Sequence, residues 1–424
     1  LPKLKRFLFF IFLICLHLAV WAHPMPNSVM LLSIREKNVV AELQLPLSEL
    51  GLALGQPLIL NDCFEASIKQ YILNHWKIEN DSKQFWKIEL QTMHVDSVLE
   101  SLSGPYHELQ IKLLLTPPTD ASNRVFTMHY DVITHQVTTH STLIRIRQDW
   151  QTGIIAENEV QIGVIATDIR TNTVLPMRVQ QAEGSLGRGF RAMFRLGMTH
   201  ISEGTDHLLF LLMLLIPAPL LVEDKRWTNY GGLKYSFWKL LRIITAFTIG
   251  HSITLVFGTL GWIPFSSRWI EILIAFSIFC SSIHAILPIF YRRETYIAGI
   301  FGLIHGLAFS NTLSNLQLSN FQTGLSILGF NLGIEWMQFG IMAAILPSLL
   351  LICRHRLGWY QLFRLLGAVC GMIAAIAWMM ERVSQSENSI TKILTQIPVY
   401  GYWFVVELAI IGILSWYMNR RVIH

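Results

Sequence analysis

The sequence predicts an α-helical polytopic membrane bundle of about seven transmembrane helices, preceded by a β-rich, sandwich-like exported domain. Of its 424 residues, 52% are hydrophobic and only 14% are charged, whereas soluble domains carry about 25% charged residues. Apolar runs of near-membrane length fill the second half of the chain, and short alternating segments fill the first half. The basic residues fall in short clusters between the apolar runs, which indicates membrane topology and not nucleic-acid binding.

The first 22 residues have the composition of a secretory signal peptide. Lys3, Lys5 and Arg6 form a basic start, an apolar run follows over 7–20, and Ala22 provides the small residue before a cleavage position. Cleavage there would place His23 at the mature N-terminus, with an amine and an imidazole on one residue.

Residues 23–183 are predicted to form the exported domain. Alternating or strand-like segments at 29–34, 39–45, 108–115, 124–133, 141–147 and 153–164 are separated by turn residues. Several short strands at this spacing favour a β-sandwich. Surface and turn positions are the simplest interpretation of its histidines, with metal binding as the alternative. The secondary metal candidates are His23, His129, His135 and His140.

Residues 184–424 are predicted to form the transmembrane domain. Seven apolar helices are expected at 189–216, 238–260, 269–290, 297–313, 325–353, 362–378 and 402–418. Lys and Arg concentrate in the first, third and fifth connections and in the tail, which the positive-inside rule makes cytoplasmic. We therefore expect a multi-pass protein of a bacterial inner membrane, with a periplasmic or extracellular N-terminal domain and a cytoplasmic C-terminus.

Ionisable and polar side chains recur inside these apolar runs, where each costs free energy unless it pairs or binds something. His200, Glu203 and His207 follow the spacing of one helical face, and imidazoles with carboxylates suit first-row divalent metals. The primary metal-ligand candidates are His200, Asp206, His207, His251, His305 and Glu335. The accessory polar candidates are Glu203, Ser252, Glu271, His284, Asn331 and Gln338.

Two motifs resemble those of the HupE/UreJ family of membrane proteins, in the branch with an additional exported domain. They are the HxxxGxDHLLF pattern of 200–210 and the FTxGHSxTL pattern of 247–255; the GLIHGLAF and FNLGIE segments at 302–309 and 330–335 agree with them. The resemblance implies uptake of nickel or cobalt, with zinc, copper and iron left open by the ligand types.

Three functions remain open on the residues alone. The first is a divalent transition-metal permease with the membrane lipid bilayer and a metal ion as its partners. The second is an intramembrane metal-dependent hydrolase or protease, in which histidines and an acid hold a metal that activates water. The third is a metal- or protein-sensing membrane assembly factor whose residues 23–183 bind a periplasmic protein.

Overall fold

The chain divides after Ser185 into two compact units. The structure is a computed structural model and describes residues 26–55, 64–99, 104–155, 159–262, 266–394 and 396–422. The expected signal peptide and His23 lie outside the described residues.

The first unit is built mainly from β-strands. Its strands are β1 Ser28–Ile34, β2 Val39–Pro46, β3 Trp76–Glu79, β4 Lys87–Val98, β5 Tyr106–Thr116, β6 Val125–Tyr130, β7 Ser141–Asp149, β8 Val160–Asp168, β9 Thr173–Val174 and β10 Met177–Gln180. Two helices, α1 Leu47–Leu54 and α2 Phe64–His75, precede β3.

Seven strands form a mixed sheet in the order β4-β5-β2-β1-β7-β8-β9, and three form a second sheet in the order β10-β6-β3. Only the β1–β7 pair is parallel among the pairings described. In β7 the side chains of Thr142, Ile144 and Ile146 are buried, while Arg145 and Arg147 lie on the opposite, partly exposed face. This period of two is what the sequence pattern predicts for a half-buried strand.

One apolar core joins the two sheets and both helices. It includes Leu43 from the large sheet, Phe126 from the small sheet, and Leu50 and Ile68 from the helices. The β-rich, sandwich-like architecture predicted from the sequence is therefore confirmed. The two helices and strand β4 were not predicted, because α2 mixes polar and apolar residues and β4 is exposed along most of its length.

The second unit is helical. Its helices are α3 Leu186–Glu203, α4 Thr205–Leu215, α5 Leu233–Thr259, α6 Ser267–Ile286, α7 Glu294–Asn315, α8 Asn320–His355, α9 Leu357–Ser384, α10 Ser389–Leu394 and α11 Ile397–Val422. A hairpin of β11 Leu220–Glu223 and β12 Arg226–Tyr230 connects α4 to α5.

Six of the described helices are long and apolar enough to cross a membrane: α5, α6, α7, α8, α9 and α11. Large apolar side chains such as Ile249, Phe276, Leu328 and Ile410 are exposed on the outside of these helices, as expected where protein meets lipid. The chain is a multi-pass membrane protein, and the predicted helical bundle is confirmed.

The first predicted span differs from expectation. Instead of one helix over 189–216, the chain forms α3 and α4 with a break at Gly204, whose backbone is extended at φ −71° and ψ 98°. Helix α3 carries several arginines along one face, and α4 has only 11 residues. Helix α4 is therefore too short for a full span, and α3, with 18 residues, is too polar for one.

Candidate metal centre

The break at Gly204 places three polar side chains together. The ring centroids of His200, near the end of α3, and His207, in the first turn of α4, are 4.6 Å apart. Asp206 lies beside His207 and is in the first turn of α4, where the helix dipole favours a negative charge. A Cβ on Gly204 would lie 2.6 Å from the carbonyl oxygen of His200 and 3.0 Å from Nδ1 of His207. A side chain at this position would therefore displace the histidines.

Helices α5 and α7 contribute His251 and His305. The two helices approach closely, since a Cβ on Gly302 would lie 2.1 Å from the carbonyl oxygen of Phe247 and one on Gly306 would lie 2.2 Å from that of His251. Small residues at such contacts let helix backbones pack closely. As a result, both imidazoles are fully buried, at 0% exposure.

The four histidines and Asp206 form two overlapping groups of potential ligands. In the first group, one ring nitrogen each of His200, His207 and His251 lies within 4.8 Å of the others. In the second group, a carboxylate oxygen of Asp206 and one ring nitrogen each of His207 and His305 lie within the same distance of one another. His207 belongs to both groups. The arrangement therefore offers two adjacent coordination positions that share one imidazole.

Hydrogen bonds fix which nitrogen of His207 carries the proton. Its Nδ1 lies 2.9 Å from Oδ1 of Asp206, and an ionised carboxylate only accepts hydrogen bonds. The proton of the neutral ring is therefore on Nδ1, and Nε2 has the lone pair. A carboxylate that orients a histidine in this way is the usual outer partner of a metal-binding imidazole.

The same reasoning applies to His305. Ser277 Oγ donates to the carbonyl oxygen of Ile274 at 2.7 Å, which uses its only hydrogen. Nε2 of His305, 2.9 Å from that Oγ, must therefore be the donor, and Nδ1 has the lone pair. This Nδ1 lies 3.4 Å from Nε2 of His207. Two lone pairs thus face each other.

That separation suits a metal ion. Two nitrogens bound to one ion at about 2.0–2.1 Å with a tetrahedral angle between them are separated by about 3.3 Å. A cation between the rings relieves the repulsion of the lone pairs, and either a metal ion or a proton provides that charge.

His251 and His200 complete the first group. Asn331 donates its Nδ2 hydrogen to the carbonyl oxygen of Ile327 at 2.9 Å, so its Oδ1 accepts from Nδ1 of His251 at 3.2 Å. The lone pair of His251 is then on Nε2. The Nε2 atoms of His251 and His200 are both buried without a hydrogen-bond partner among the described residues, although burying an unpaired polar atom costs free energy. Both atoms are suited to bind an ion.

The structure does not bring Glu335 into either group. Glu335 lies one turn beyond Asn331 on α8 and accepts a hydrogen bond from Thr245 Oγ1 at 3.0 Å. Gln338, one turn further, accepts from Thr248 at 3.4 Å. These two side chains continue the polar face of α8 away from the histidines.

The remaining accessory candidates have separate surroundings. Glu203 is exposed at the end of α3. The helix breaks directly after it, so Glu203 does not share one helical face with both His200 and His207 as predicted. Ser252 donates to the carbonyl oxygen of Thr248 at 2.7 Å. It therefore satisfies its hydrogen within its own helix.

Glu271 lies close to the second group without joining it. It forms an ion pair with Arg382, and both residues line a cavity of about 300 Å³ together with Asp206. The side chain of Asp206 is 33% exposed. The cavity therefore gives the second group contact with the space outside the helices.

His284 lies apart from the two groups. Its Nδ1 accepts a hydrogen bond from the backbone N–H of Phe290 at 3.1 Å, so its proton is on Nε2, which lies 4.0 Å from a carboxylate oxygen of Glu294. The carboxylate of Glu294 also pairs with Lys239 at 3.1 Å. His284 thus belongs to a separate buried charge cluster.

The three metal candidates of the first unit that lie among the described residues, His129, His135 and His140, have separate hydrogen-bond and ring partners. His140 is buried, with Nε2 2.8 Å from Ser28 Oγ and Nδ1 3.6 Å from Glu49. Burial lowers the pKa of His140 to about 4 and raises the pKa of Glu49. His129 pairs with Glu79 at 3.2 Å, while His135 stacks on another ring, at 4.0 Å between centroids.

Two residues of these arrangements were missed by sequence reasoning. Ser277 is one of several serines in an apolar helix, and no spacing marks it as the partner of His305. His75 ends a short polar helix and stacks on His135 from 60 residues away. Only the fold brings either pair together.

Comparison with known proteins identifies the membrane half. No curated protein and no solved structure is significantly similar to the chain. Residues 177–382 match the family described as HupE / UreJ protein. This range contains both ligand groups and the broken helix that positions them. The chain carries a HupE/UreJ family domain over residues 177–382.

Proposed function

We propose that this chain is an inner-membrane permease for a divalent transition-metal ion, of the nickel or cobalt type that the HupE/UreJ family implies. The observation that carries the proposal is the approach of His207 Nε2 and His305 Nδ1 to 3.4 Å, where the hydrogen bonds on the other nitrogen of each ring assign a lone pair to both atoms. The metal is the transported substrate, and the two ligand groups are its binding positions.

The shared imidazole supports transport in particular. Conduction requires that an ion bind well enough to enter and weakly enough to leave, which adjacent sites achieve by passing it on. His207 can keep its Nε2 bond to the ion, with Asp206 still orienting the ring, while the other ligands change from His305 to His200 and His251. An ion moving between the groups would therefore never lose all of its protein ligands.

The broken helix supports the same function. Discontinuous helices near the bilayer centre are a recurring feature of transporter binding sites, because the freed helix ends contact the substrate. Here the break at Gly204 lies between His200 and His207 in the sequence, and it allows their side chains to meet. Protonation of the imidazoles would release the ion, since a protonated histidine has no lone pair for a metal.

The test is uptake into proteoliposomes that contain a metal-responsive dye. Ni²⁺, Co²⁺, Zn²⁺, Cu²⁺ and Fe²⁺ would be added separately to wild type and to His207→Ala. His355→Ala is the matched control, because His355 lies 24 residues beyond Asn331 on α8, about 36 Å along the helix axis. We expect selective influx that His207→Ala abolishes and His355→Ala retains.

Two other outcomes would contradict the proposal. Influx that is unchanged in His207→Ala would exclude these groups as the route of the ion. Metal binding that depends on His207 without any influx would favour an intramembrane metal-dependent hydrolase, in which one group holds the metal and the cavity beside Asp206 admits a substrate.

A further inference from the structure

The exported unit contains a cavity of about 600 Å³ that borders strands β3 and β6. Its lining includes His75, Asp131 and His135, together with several threonines. The rings of His75 and His135 are stacked, with their centroids 4.0 Å apart and their planes inclined by 23°. Two imidazoles therefore lie side by side at the wall of an open cavity.

Asp131 holds both rings. Its Oδ1 lies 2.9 Å from Nδ1 of His75, and its backbone oxygen lies 3.1 Å from Nδ1 of His135. The backbone adds two further bonds, from Asp131 N–H to the carbonyl oxygen of His75 and from His135 N–H to that of Asp131, each at 3.0 Å. One residue therefore fixes the position of both histidines.

These contacts also fix the tautomers. A backbone carbonyl and an ionised carboxylate only accept hydrogen bonds, so Nδ1 of each ring carries the proton. The lone pair of each neutral ring is then on Nε2. Donation of the second ring N–H to a carboxylate or a carbonyl is the arrangement that orients metal-binding histidines in proteins.

We propose that this cavity is a second, exchangeable binding site for a divalent transition-metal ion, with Nε2 of His75 and of His135 as its protein ligands. Asp131 is the positioning residue. The choice of metal as the ligand rests in part on the function proposed for the membrane unit, whereas the geometry of the site does not. The ring centroids lie 4.0 Å apart, and two nitrogens bound to one ion at about 2.0–2.1 Å lie about 3.3 Å apart, so the two rings bind one ion by tilting out of their stacking until both Nε2 atoms point at it.

Exposure distinguishes this site from the groups in the membrane unit. The side chain of His75 is 25% exposed and that of Asp131 is 43% exposed, whereas His251 and His305 are fully buried. Two imidazoles with water completing the coordination give an accessible site from which an ion leaves readily. Such a site would collect metal outside the bilayer.

His129 and Glu79 line the same cavity but form a separate arrangement. Lys83 lies 2.6 Å from the carboxylate of Glu79, and together with His129 it lowers the pKa of that carboxyl. The charge of Glu79 is thus already compensated. We therefore exclude it and His129 from the ligand set.

The test uses the full-length chain in nanodiscs with His207→Ala, which removes the ligand shared by both membrane groups. Ni²⁺ binding is measured by equilibrium dialysis, and Cu²⁺ is used as a probe for pulsed electron paramagnetic resonance, which reports the remote nitrogen of each bound imidazole. His75→Gln, His135→Gln and Asp131→Asn are compared with His94→Gln, a matched control at an exposed position of β4 outside the cavity.

We expect one ion per chain in the His207→Ala background, with signals from two imidazoles. Each histidine variant should weaken binding at least tenfold and leave one imidazole signal, while His94→Gln binds normally. Asp131→Asn keeps an acceptor for His75 but loses its charge, so binding should weaken by about 10- to 100-fold, as for other outer partners of metal ligands.

Absence of bound metal in the His207→Ala background would overturn the proposal. Binding that is unchanged in both His75→Gln and His135→Gln would overturn it as well. These results are independent of transport, because uptake by the chain with intact His207 tests the membrane site. If one histidine variant does not fold, metal binding by the other histidine variant and by Asp131→Asn still tests the proposal.

Discussion

Nε2 of His207 and Nδ1 of His305 face each other at 3.4 Å with their lone pairs directed by Asp206 and Ser277. This relationship ties the sequence motif of one helix to a histidine almost one hundred residues later. Each ring is held by a hydrogen bond on its far side, so neither is able to turn away from the other. The two rings are thus preorganised for a cation. We expect Asp206 and Ser277 to influence how tightly the cation is bound.

The shared position of His207 predicts an order of effects among the histidine variants. His207→Ala removes a ligand from both groups, whereas His200→Ala and His305→Ala each remove one ligand from one group. We expect His207→Ala to abolish measurable Ni²⁺ binding by the membrane unit. His200→Ala and His305→Ala should each lower the Ni²⁺ affinity by about 10- to 100-fold or more, since loss of a residue that only orients a metal ligand already costs that much.

Calorimetric titration in a His75→Ala background, which removes the proposed exported site, measures this order. Equal affinities for all three variants would contradict a shared ligand. An intact thermal unfolding transition in each variant is the control for folding.

Ser277 predicts an effect that ordinary packing would not produce. Ser277→Ala removes the acceptor for Nε2–H of His305, so the ring loses its preferred tautomer and orientation. We expect Ni²⁺ affinity to fall by about tenfold or more. Ser281→Ala is the matched control, because Ser281 is equally buried one turn away and bonds only the carbonyl oxygen of Ser277. A similar loss in both variants would indicate a packing defect instead.

Sequence reasoning named most residues of this candidate site because ionisable residues are rare in apolar helices. His200, Asp206, His207, His251 and His305 were all proposed from their presence there, and the structure places them together. Glu335 was proposed on the same ground but lies outside both groups, bonded to Thr245. Helical spacing gives the face of a residue and not its depth relative to other helices. Contacts between helices decided which candidates meet.

The fold shows a similar limit. Hydropathy located six spans and most strands, because burial on one face leaves a regular pattern. It could not locate the break between α3 and α4, since Gly204 is only one of several glycines within the predicted spans. Nor did it indicate α1 and α2 in the first unit, which are short and lack long runs of helical periodicity.

Gly204 provides a test of that break. In Gly204→Ala, the new Cβ would lie 2.6 Å from the carbonyl oxygen of His200 and 3.2 Å from Oδ1 of Asp206, so the ligands must move. We expect loss of Ni²⁺ binding while the helical circular dichroism stays near that of wild type. Gly340→Ala is the control, because nothing lies within 4 Å of a Cβ there; alanine in that helix should be neutral or stabilise by about 0.5–1 kcal/mol. Normal binding by Gly204→Ala would show that the break does not position the ligands.

The first unit should lose stability as the pH falls, because of His140. Burial lowers its pKa from the ordinary 6.5 to about 4 in the folded state. The unfolded state therefore binds a proton first, and stability that is complete above about pH 6.5 is lost progressively down to about pH 4. The upper bound on this loss is about 3 kcal/mol. Glu49 opposes it in part, because its raised pKa favours folding at lower pH.

His140→Gln isolates the contribution of the histidine. The free energy of opening of β1 and β7 is measured by hydrogen exchange in the full-length chain at several pH values, corrected for the intrinsic rate. Wild type should lose more stability between pH 6.5 and 4 than His140→Gln. Parallel losses would show that His140 is not responsible.

The Glu271–Arg382 ion pair predicts opposite effects of two variants on transport. Both side chains line the cavity beside Asp206, and a cation that reaches Asp206 through it encounters their charges. Arg382→Gln leaves the carboxylates uncompensated and should raise the initial rate of Ni²⁺ influx several-fold at low salt, whereas Glu271→Gln should lower it. Both effects should shrink as ionic strength rises, because salt screens exposed charges.

The effects of both variants are measured as Ni²⁺ influx into proteoliposomes at two salt concentrations, together with the equilibrium Ni²⁺ affinity. Lys392→Gln is the control: Lys392 forms an exposed ion pair with Glu387 outside the cavity, so its loss changes the net charge by the same amount as Arg382→Gln. Changes of the same sign in Glu271→Gln and Arg382→Gln would mean that the pair acts as a structural link between α6 and α9. Opposite signs with unchanged equilibrium affinity would identify the cavity as the route by which the ion reaches the histidines.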